Sequence, residues 1–280
     1  MEVIDSHQHF WNYSPEAHEW IDDSMGAIQT DFLPEHLQPI LEKNGVDGTI
    51  TVQVDQTLDE TQFLLDLADK HTFIYGVVGW VDLRDEHLAD QLDTWEHHRK
   101  LVGFRHIVQG EPDPLFILQP EFRRGLELIF ERGYTYDLLI YPHQLPAALE
   151  LVSQFPTAPI VIDHLAKPYI KAGYYKGWEL VMREIGKYPG VRCKWSGMIT
   201  EANWETWTPD DLRPYLDATA QIFGPNRLMY GSDWPVLNVA GTYERVISAI
   251  RDYISSWDVE DQKAVMGGTA RQFYLPETEN

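Results

Sequence analysis

The sequence predicts a (β/α)8 TIM barrel, a parallel eight-stranded α/β fold, and three observations carry that expectation. The chain has 280 residues, close to the roughly 250 typical of such a barrel. Short runs rich in Val, Ile and aromatic residues alternate with amphipathic helical stretches, the pattern of βαβ units. Eight such runs can be counted, which is the barrel number.

The expected strands are Val3–His9, Thr49–Val54, Phe73–Trp80, Leu101–Ile107, Thr135–Tyr141, Pro159–Asp163, Val191–Ser196 and Leu228–Gly231. Between them, Leu58–His71 follows a Thr57/Glu60 capping box, and Glu121–Arg132 stops at Gly133, a residue suited to a C-cap. Pro34 and Pro209 stand where first-turn prolines belong. After the eighth strand, Thr242–Ser256 and Glu260–Phe273 supply the last barrel helix and a closing one. A doubly wound open sheet shares the alternation, but it usually carries a Gly-rich phosphate turn after its first strand. Here that turn is His7-Gln8-His9.

No linker, low-complexity tract or solenoid repeat divides the chain, so residues 1–280 are expected to form one domain. A chain of this length buries about three quarters of its unfolded surface and needs no staple. Its one cysteine, Cys193, sits in a strand-like run and reads as a small buried thiol. Forty-four acidic against 22 basic residues give a net charge of −22, which argues against nucleic-acid and anionic-membrane partners. No apolar run approaches the roughly 20 residues that span a bilayer, and no leader-like segment opens the sequence. A reducing cytoplasm is the expected compartment, and no feature sets an oligomeric state.

Barrel chemistry gathers at the carboxyl ends of the strands. The first strand ends Asp5-Ser6-His7-Gln8-His9, the second contributes Gln53 and the fourth Arg105-His106. The sixth ends Asp163-His164, the seventh Lys194-Trp195-Ser196 and the eighth Ser232-Asp233. His7 and His9, one residue apart on a strand, point to one face and can share a metal or a substrate oxygen. Their structural alternative is a pair satisfied by neighbouring carbonyls. Arg105 and His106 face opposite sides, so one of them enters the pocket; the guanidinium, a planar donor fork, is the better fit to a carboxylate or carbonyl. Asp233 is held at the mouth by Pro235 and can act as general base, the alternative being a helix N-cap. Lys167 and Lys194 could neutralise an acidic substrate. Trp11 and Trp234 flank the catalytic candidates, where they either stack on a sugar ring or pack the core.

At these residues the sequence resembles the amidohydrolase superfamily: a His-x-His ends the first strand, a histidine the sixth and an aspartate the eighth. Gly103-Phe104-Arg105-His106 with Glu111-Pro112-Asp113, Ile162 to Pro168, and Phe223 to Val236 are similar to its lactonase branch, the L-fuconolactonases and L-rhamnonolactonases. The resemblance implies a hydrolase of aldonolactones or related carboxylated lactones, with a small-molecule lactone as its partner. Asp233, His7, His9 and His164 would be catalytic, and Arg105, His106, Gln53, Trp11, Lys194 and Trp234 would bind substrate. It implies no obligatory cofactor. A loosely held divalent metal such as zinc, on His7, His9 and Asp233, is compatible with the set. Metal-dependent relatives commonly add a fifth-strand histidine or a bridging fourth-strand lysine; here the fourth strand offers Arg105, and His143 lies beyond Pro142. The rival readings are a metal-dependent decarboxylase of the same superfamily and a barrel that only binds a sugar acid.

Overall fold

The computed structural model describes residues 1–276. Its eight strands are β1 (Ile4–Gln8), β2 (Gly48–Val52), β3 (Ile74–Gly79), β4 (Leu101–His106), β5 (Thr135–Leu138), β6 (Ile160–Ile162), β7 (Val191–Trp195) and β8 (Leu228–Tyr230). They pair in sequence order, each parallel to the next. Seven lie within the runs expected from sequence, most of them shorter at one or both ends, and β2 starts one residue earlier than expected, at Gly48.

The helices are α1 (Pro34–Asn44), α2 (Leu58–Lys70), α3 (Leu88–Asp93), α4 (Pro120–Glu131), α5 (Leu145–Gln154), α6 (Lys176–Ile185), α7 (Pro209–Phe223), α8 (Tyr243–Ile254), α9 (Val259–Lys263) and α10 (Thr269–Tyr274). Pro34 and Pro209 open α1 and α7, and Gly133 follows α4 at φ +83°. The capping box on α2 is only half made: Thr57 accepts from the Glu60 amide. The Glu60 carboxylate instead accepts from the amides of Val54 and Asp55, at 2.7 and 2.8 Å, and so ties the β2 loop to the helix. The closing segment is helical from Val259 to Tyr274, as expected, but α9 and α10 are joined within it by a π turn over Ala264–Gly268.

That turn serves the barrel seam. A Cβ on Gly267 would stand 2.6 Å from the Glu2 carbonyl oxygen, so only glycine lets the turn lie this close to the start of β1. Above it, β1 and β8 are stitched by the segment after β8: Asp233 N donates to His7 O at 2.8 Å and His9 N to Trp234 O at 2.7 Å. Below, Ala270, Phe273 and Tyr274 of α10 fill the barrel floor with Ile4, Ile50, Val52, Val78, Val161 and Met229. A second, larger apolar layer lies between the strands and the helices, and Cys193 is buried in it. The polar strand ends are thereby left facing a single open end. Among the described residues, no helix is long and apolar enough to cross a membrane.

Candidate active site

His7, His9 and His164 converge on one carboxylate oxygen, Oδ1 of Asp233. His9 Nε2 stands 3.4 Å from it, and the Nε2 atoms of His7 and His164 each 3.9 Å. The rings of His7 and His9 meet edge to face with centroids 4.9 Å apart, those of His7 and His164 at 4.4 Å. The pairing register shifts between Asp5 and Gln8. That irregularity, where the Asp5 carboxylate accepts the His7 amide, turns the His-x-His pair into the barrel mouth.

Two backbone devices aim the remaining groups. Asp233 has φ +63°, a left-handed conformation that aspartate tolerates better than most residues. At the end of β6, His164, Leu165, Ala166 and Lys167 all have positive φ, from 47° to 59°. Four consecutive non-glycine residues there form a left-handed turn, at a cost of roughly 1–2 kcal/mol each. Such strain persists where the surroundings hold it. Here Trp178 Nε1 donates to the Leu165 carbonyl at 2.7 Å and Ser196 Oγ meets His164 Nδ1 at 2.8 Å.

Beneath the histidines lies a buried charge network. Arg105 grips Gln53 through Nε (3.1 Å) and Nη2 (2.9 Å) to Oε1, with a further bond to the Gln53 carbonyl, and reaches Asp163 Oδ2 through Nη1 at 3.2 Å. Lys194 Nζ lies against Asp137, 3.1 Å from Asp163 Oδ1 and 3.1 Å from His7 Nδ1. Tyr274 of α10 donates to Asp137 from below. Burial lowers the pKa of all three histidines, His7 well below its usual value and His164 to about 4, so they are neutral near pH 7. For Asp233, burial works to raise the pKa, but His164, His9 and His7 outweigh it and hold the group ionised below the usual carboxylate range. The same contest at Asp163 is won by Lys194, then His7 and Arg105.

Several sequence expectations change place. His106 faces the helix layer, where it stacks on Phe116 at 4.9 Å, contacts Glu111 Oε1 at 2.6 Å and accepts from Trp80, so it is not a pocket residue. Lys194 has no exposed surface and lies under His7, out of a substrate's reach. Gln53 is likewise buried behind Arg105 and orients it. Trp11 donates to Thr30 O and packs against Phe32, and Trp234 packs against Phe10 and Phe32; both are core residues. His143 is exposed, beyond a β5 that ends at Leu138.

The cavity over the histidines has a volume of about 480 Å³. Arg105, His9, His164 and Asp233 line its base, and Trp20, Tyr141, Lys167, Glu201 and Trp204 stand among its walls. Glu201 and Trp204 were not anticipated. Their signal was the long polar and aromatic segment after β7, since loops after the strands build a barrel's upper face.

The donor set also fits a divalent cation. Ligand atoms of His7, His164 and Asp233 lie within 4.8 Å of one another. His9 Nδ1 meets the Val52 carbonyl at 2.8 Å, which in the neutral ring makes Nε2 an acceptor facing the Asp233 carboxylate. Two acceptors so placed call for a proton or a cation between them. Arg105 Nη1, 3.3 Å from His7 Nε2, competes for that lone pair and weakens such a site.

An eight-stranded barrel with His-x-His, a sixth-strand histidine and an eighth-strand aspartate at one mouth defines a hydrolase-type site. The amidohydrolase family model matches residues 4–275, and the chain belongs to that family. It is 39% identical to an L-fucono-1,5-lactonase of Burkholderia multivorans over 98% of this chain and 96% of the relative. It is 36% identical to the L-fucono-1,5-lactonase of Burkholderia ambifaria, over 97% and 94%. A crystal structure of an amidohydrolase from B. multivorans with bound zinc superimposes with a TM-score of 0.94 at 38% identity, covering 98% and 99% of the two chains.

Proposed function

We propose that this chain is, as a single barrel domain, a lactonase that opens a sugar-acid lactone of the L-fuconolactone or L-rhamnonolactone type to the free aldonate. The observation that carries the reading is the Asp233 carboxylate ringed by three neutral histidines at the base of a sugar-sized cavity. Its likeness along nearly the whole chain to two L-fucono-1,5-lactonases supports the substrate.

In the mechanism we infer, a water held by His9, His164 and Asp233 attacks the lactone carbonyl and gives its proton to Asp233. Arg105, held by Gln53 and Asp163, faces the oxyanion that forms. When the tetrahedral centre collapses, the ring C–O bond breaks and the departing alkoxide takes the proton back from Asp233. Asp233, ionised at neutral pH, is free to take the water's proton, and once protonated it is acid enough to return that proton to the departing alkoxide. A divalent ion held by His7, His164 and Asp233 would supply Lewis acidity toward the water and the carbonyl.

Proton release from a panel of aldonolactones, followed with a pH indicator and repeated after chelation, tests the reading. Turnover well above the spontaneous rate is expected, and Asp233→Asn should lower it by about 10²- to 10⁴-fold, the usual worth of a positioned acid–base group. No turnover on any lactone, with or without added zinc, would overturn it.

A further inference from the structure

Lys167 and Glu201 form an ion pair on the cavity wall that the hydrolytic chemistry does not use. Nζ and Oε1 are 3.5 Å apart, with each side chain 16% exposed. The partners come from different loops. Lys167 ends the left-handed turn that also presents His164, and Glu201 follows β7. A backbone bond from Lys171 N to Glu201 O, 2.9 Å, fastens one loop to the other. Gly197 makes the arrangement fit, since a Cβ there would stand 2.4 Å from His164 Nδ1.

At 3.5 Å the pair is at the long limit of a hydrogen bond, so neither group is saturated. An ammonium has three donors and a carboxylate about four acceptor sites. Side by side on a wall, they offer a donor next to an acceptor, the complement of adjacent hydroxyls on a sugar ring. The other walls include Trp20, Met25, Val54 and Val236, an apolar surface for the carbon face of such a ring. The charges point the same way. Of the two cations lining the cavity, Arg105 is matched by Asp163 at 3.2 Å and Lys167 by Glu201. Asp233 adds a negative charge. An anionic substrate would meet no unmatched cation and one unmatched carboxylate, Asp233.

Resting on the lactonase reading, we propose that the Lys167–Glu201 pair is the specificity element of this site, binding the hydroxyls of an uncharged lactone and rejecting lactones that carry a carboxylate. Glu201 accepts from one ring hydroxyl while Lys167 donates to its neighbour, and neither touches the reacting carbonyl. They therefore act on substrate binding and leave the chemical step to the strand-end groups.

The test compares kcat and KM for an aldonolactone and for the aldarolactone with the same ring, in the wild type and in Glu201→Gln. The amide keeps the shape of the side chain and unmasks the charge of Lys167. The expected result is an aldonolactone KM about 10-fold higher, the worth of one charge-assisted hydrogen bond, with kcat within about 3-fold. The aldarolactone kcat/KM should rise by about 10-fold, a total change in preference of about 100-fold. The double variant Lys167→Met/Glu201→Met, which replaces the pair by apolar side chains, should raise the aldonolactone KM with no gain on the aldarolactone. It also stands in if the single amide folds poorly. An active wild type whose preference is unchanged in these variants, or a double variant with wild-type KM, overturns the specificity role alone. A wild type inert toward every lactone overturns the lactonase reading and this inference with it.

Discussion

His9 Nε2 faces Asp233 Oδ1 at 3.4 Å, acceptor toward acceptor, because the other ring nitrogen of His9 is engaged by the Val52 carbonyl. With His7 and His164 also within 3.9 Å of that oxygen, the mouth of the barrel is set to receive a positive charge. Zinc should therefore stabilise the chelated wild-type protein against heat. Saturation at 100 times the dissociation constant corresponds to about 2.7 kcal/mol. Asp233→Asn, which removes the only carboxylate of the set, should lose most of that shift. A melting curve indifferent to zinc in the wild type would show that the four groups hold a proton or water instead.

The left-handed turn at His164 depends on a neighbour with no side chain. Gly197 has φ +58°, and its missing Cβ is the space into which the His164 ring fits. Gly197→Ala should displace His164 and strain its own backbone, lowering the melting temperature by several degrees through a loss of about 1–3 kcal/mol. Turnover should fall by more than the lost folded fraction explains. Wild-type kcat/KM in the alanine variant would mean that His164 need not occupy this position.

The strand-end histidines and Asp233 were legible because strand alternation and the barrel rule both act along the chain. Which of two adjacent residues faces inward is also a matter of alternation, and Arg105 rather than His106 holds the inner position. The fates of Trp11, Trp234 and Lys194 were not legible. They are decided by what crosses the barrel from distant elements: Phe32 and Phe10 for the tryptophans, Asp137 and Asp163 for the lysine. Glu201 was missed for the same reason. Its partner lies on another loop, brought near by a run of positive φ that no propensity in Asp163-His164-Leu165-Ala166-Lys167 announces.

Asp5 should make stability depend on pH. Burial raises its pKa to about 6, against the hydrogen bonds it accepts from Ser232 N, His7 N and Tyr243 Oη. The folded state thus holds this proton more tightly than the unfolded state does. The stability it contributes is complete below the unfolded value of 3.8 and is lost as pH rises through about 6. Asparagine offers the same accepting oxygen and an amide toward Tyr243 without titrating. Relative to wild type, Asp5→Asn should gain stability between pH 4 and pH 6, by on the order of 3 kcal/mol at 1.36 kcal/mol per unit. Denaturant midpoints across that range are the measurement. A difference that does not change with pH would place the Asp5 proton elsewhere.

Lys194 should matter to both fold and catalysis without touching substrate. Its ammonium is the only cation in contact with Asp137 among the described residues, and it shares Asp163 with Arg105. Lys194→Met keeps most of the volume but breaks the buried ion pairs to Asp137 and Asp163, leaving Asp137 with Tyr274 as its partner and no cation, a change that usually costs about 3–5 kcal/mol. Tyr274→Phe removes only a neutral donor to the same carboxylate and should cost about 1–3 kcal/mol. The two variants separate structure from positioning. Lys194 is 3.1 Å from His7 Nδ1 and holds that ring between the buried charges and Asp233, whereas Tyr274 meets Asp137 from the barrel floor. If positioning is real, Lys194→Met should depress kcat by at least about 10-fold in conditions where circular dichroism shows it fully folded, while Tyr274→Phe should keep kcat within about 3-fold. Equal kcat values in the two folded variants would reduce Lys194 to a counter-ion and remove it from the account of how His7 is aimed.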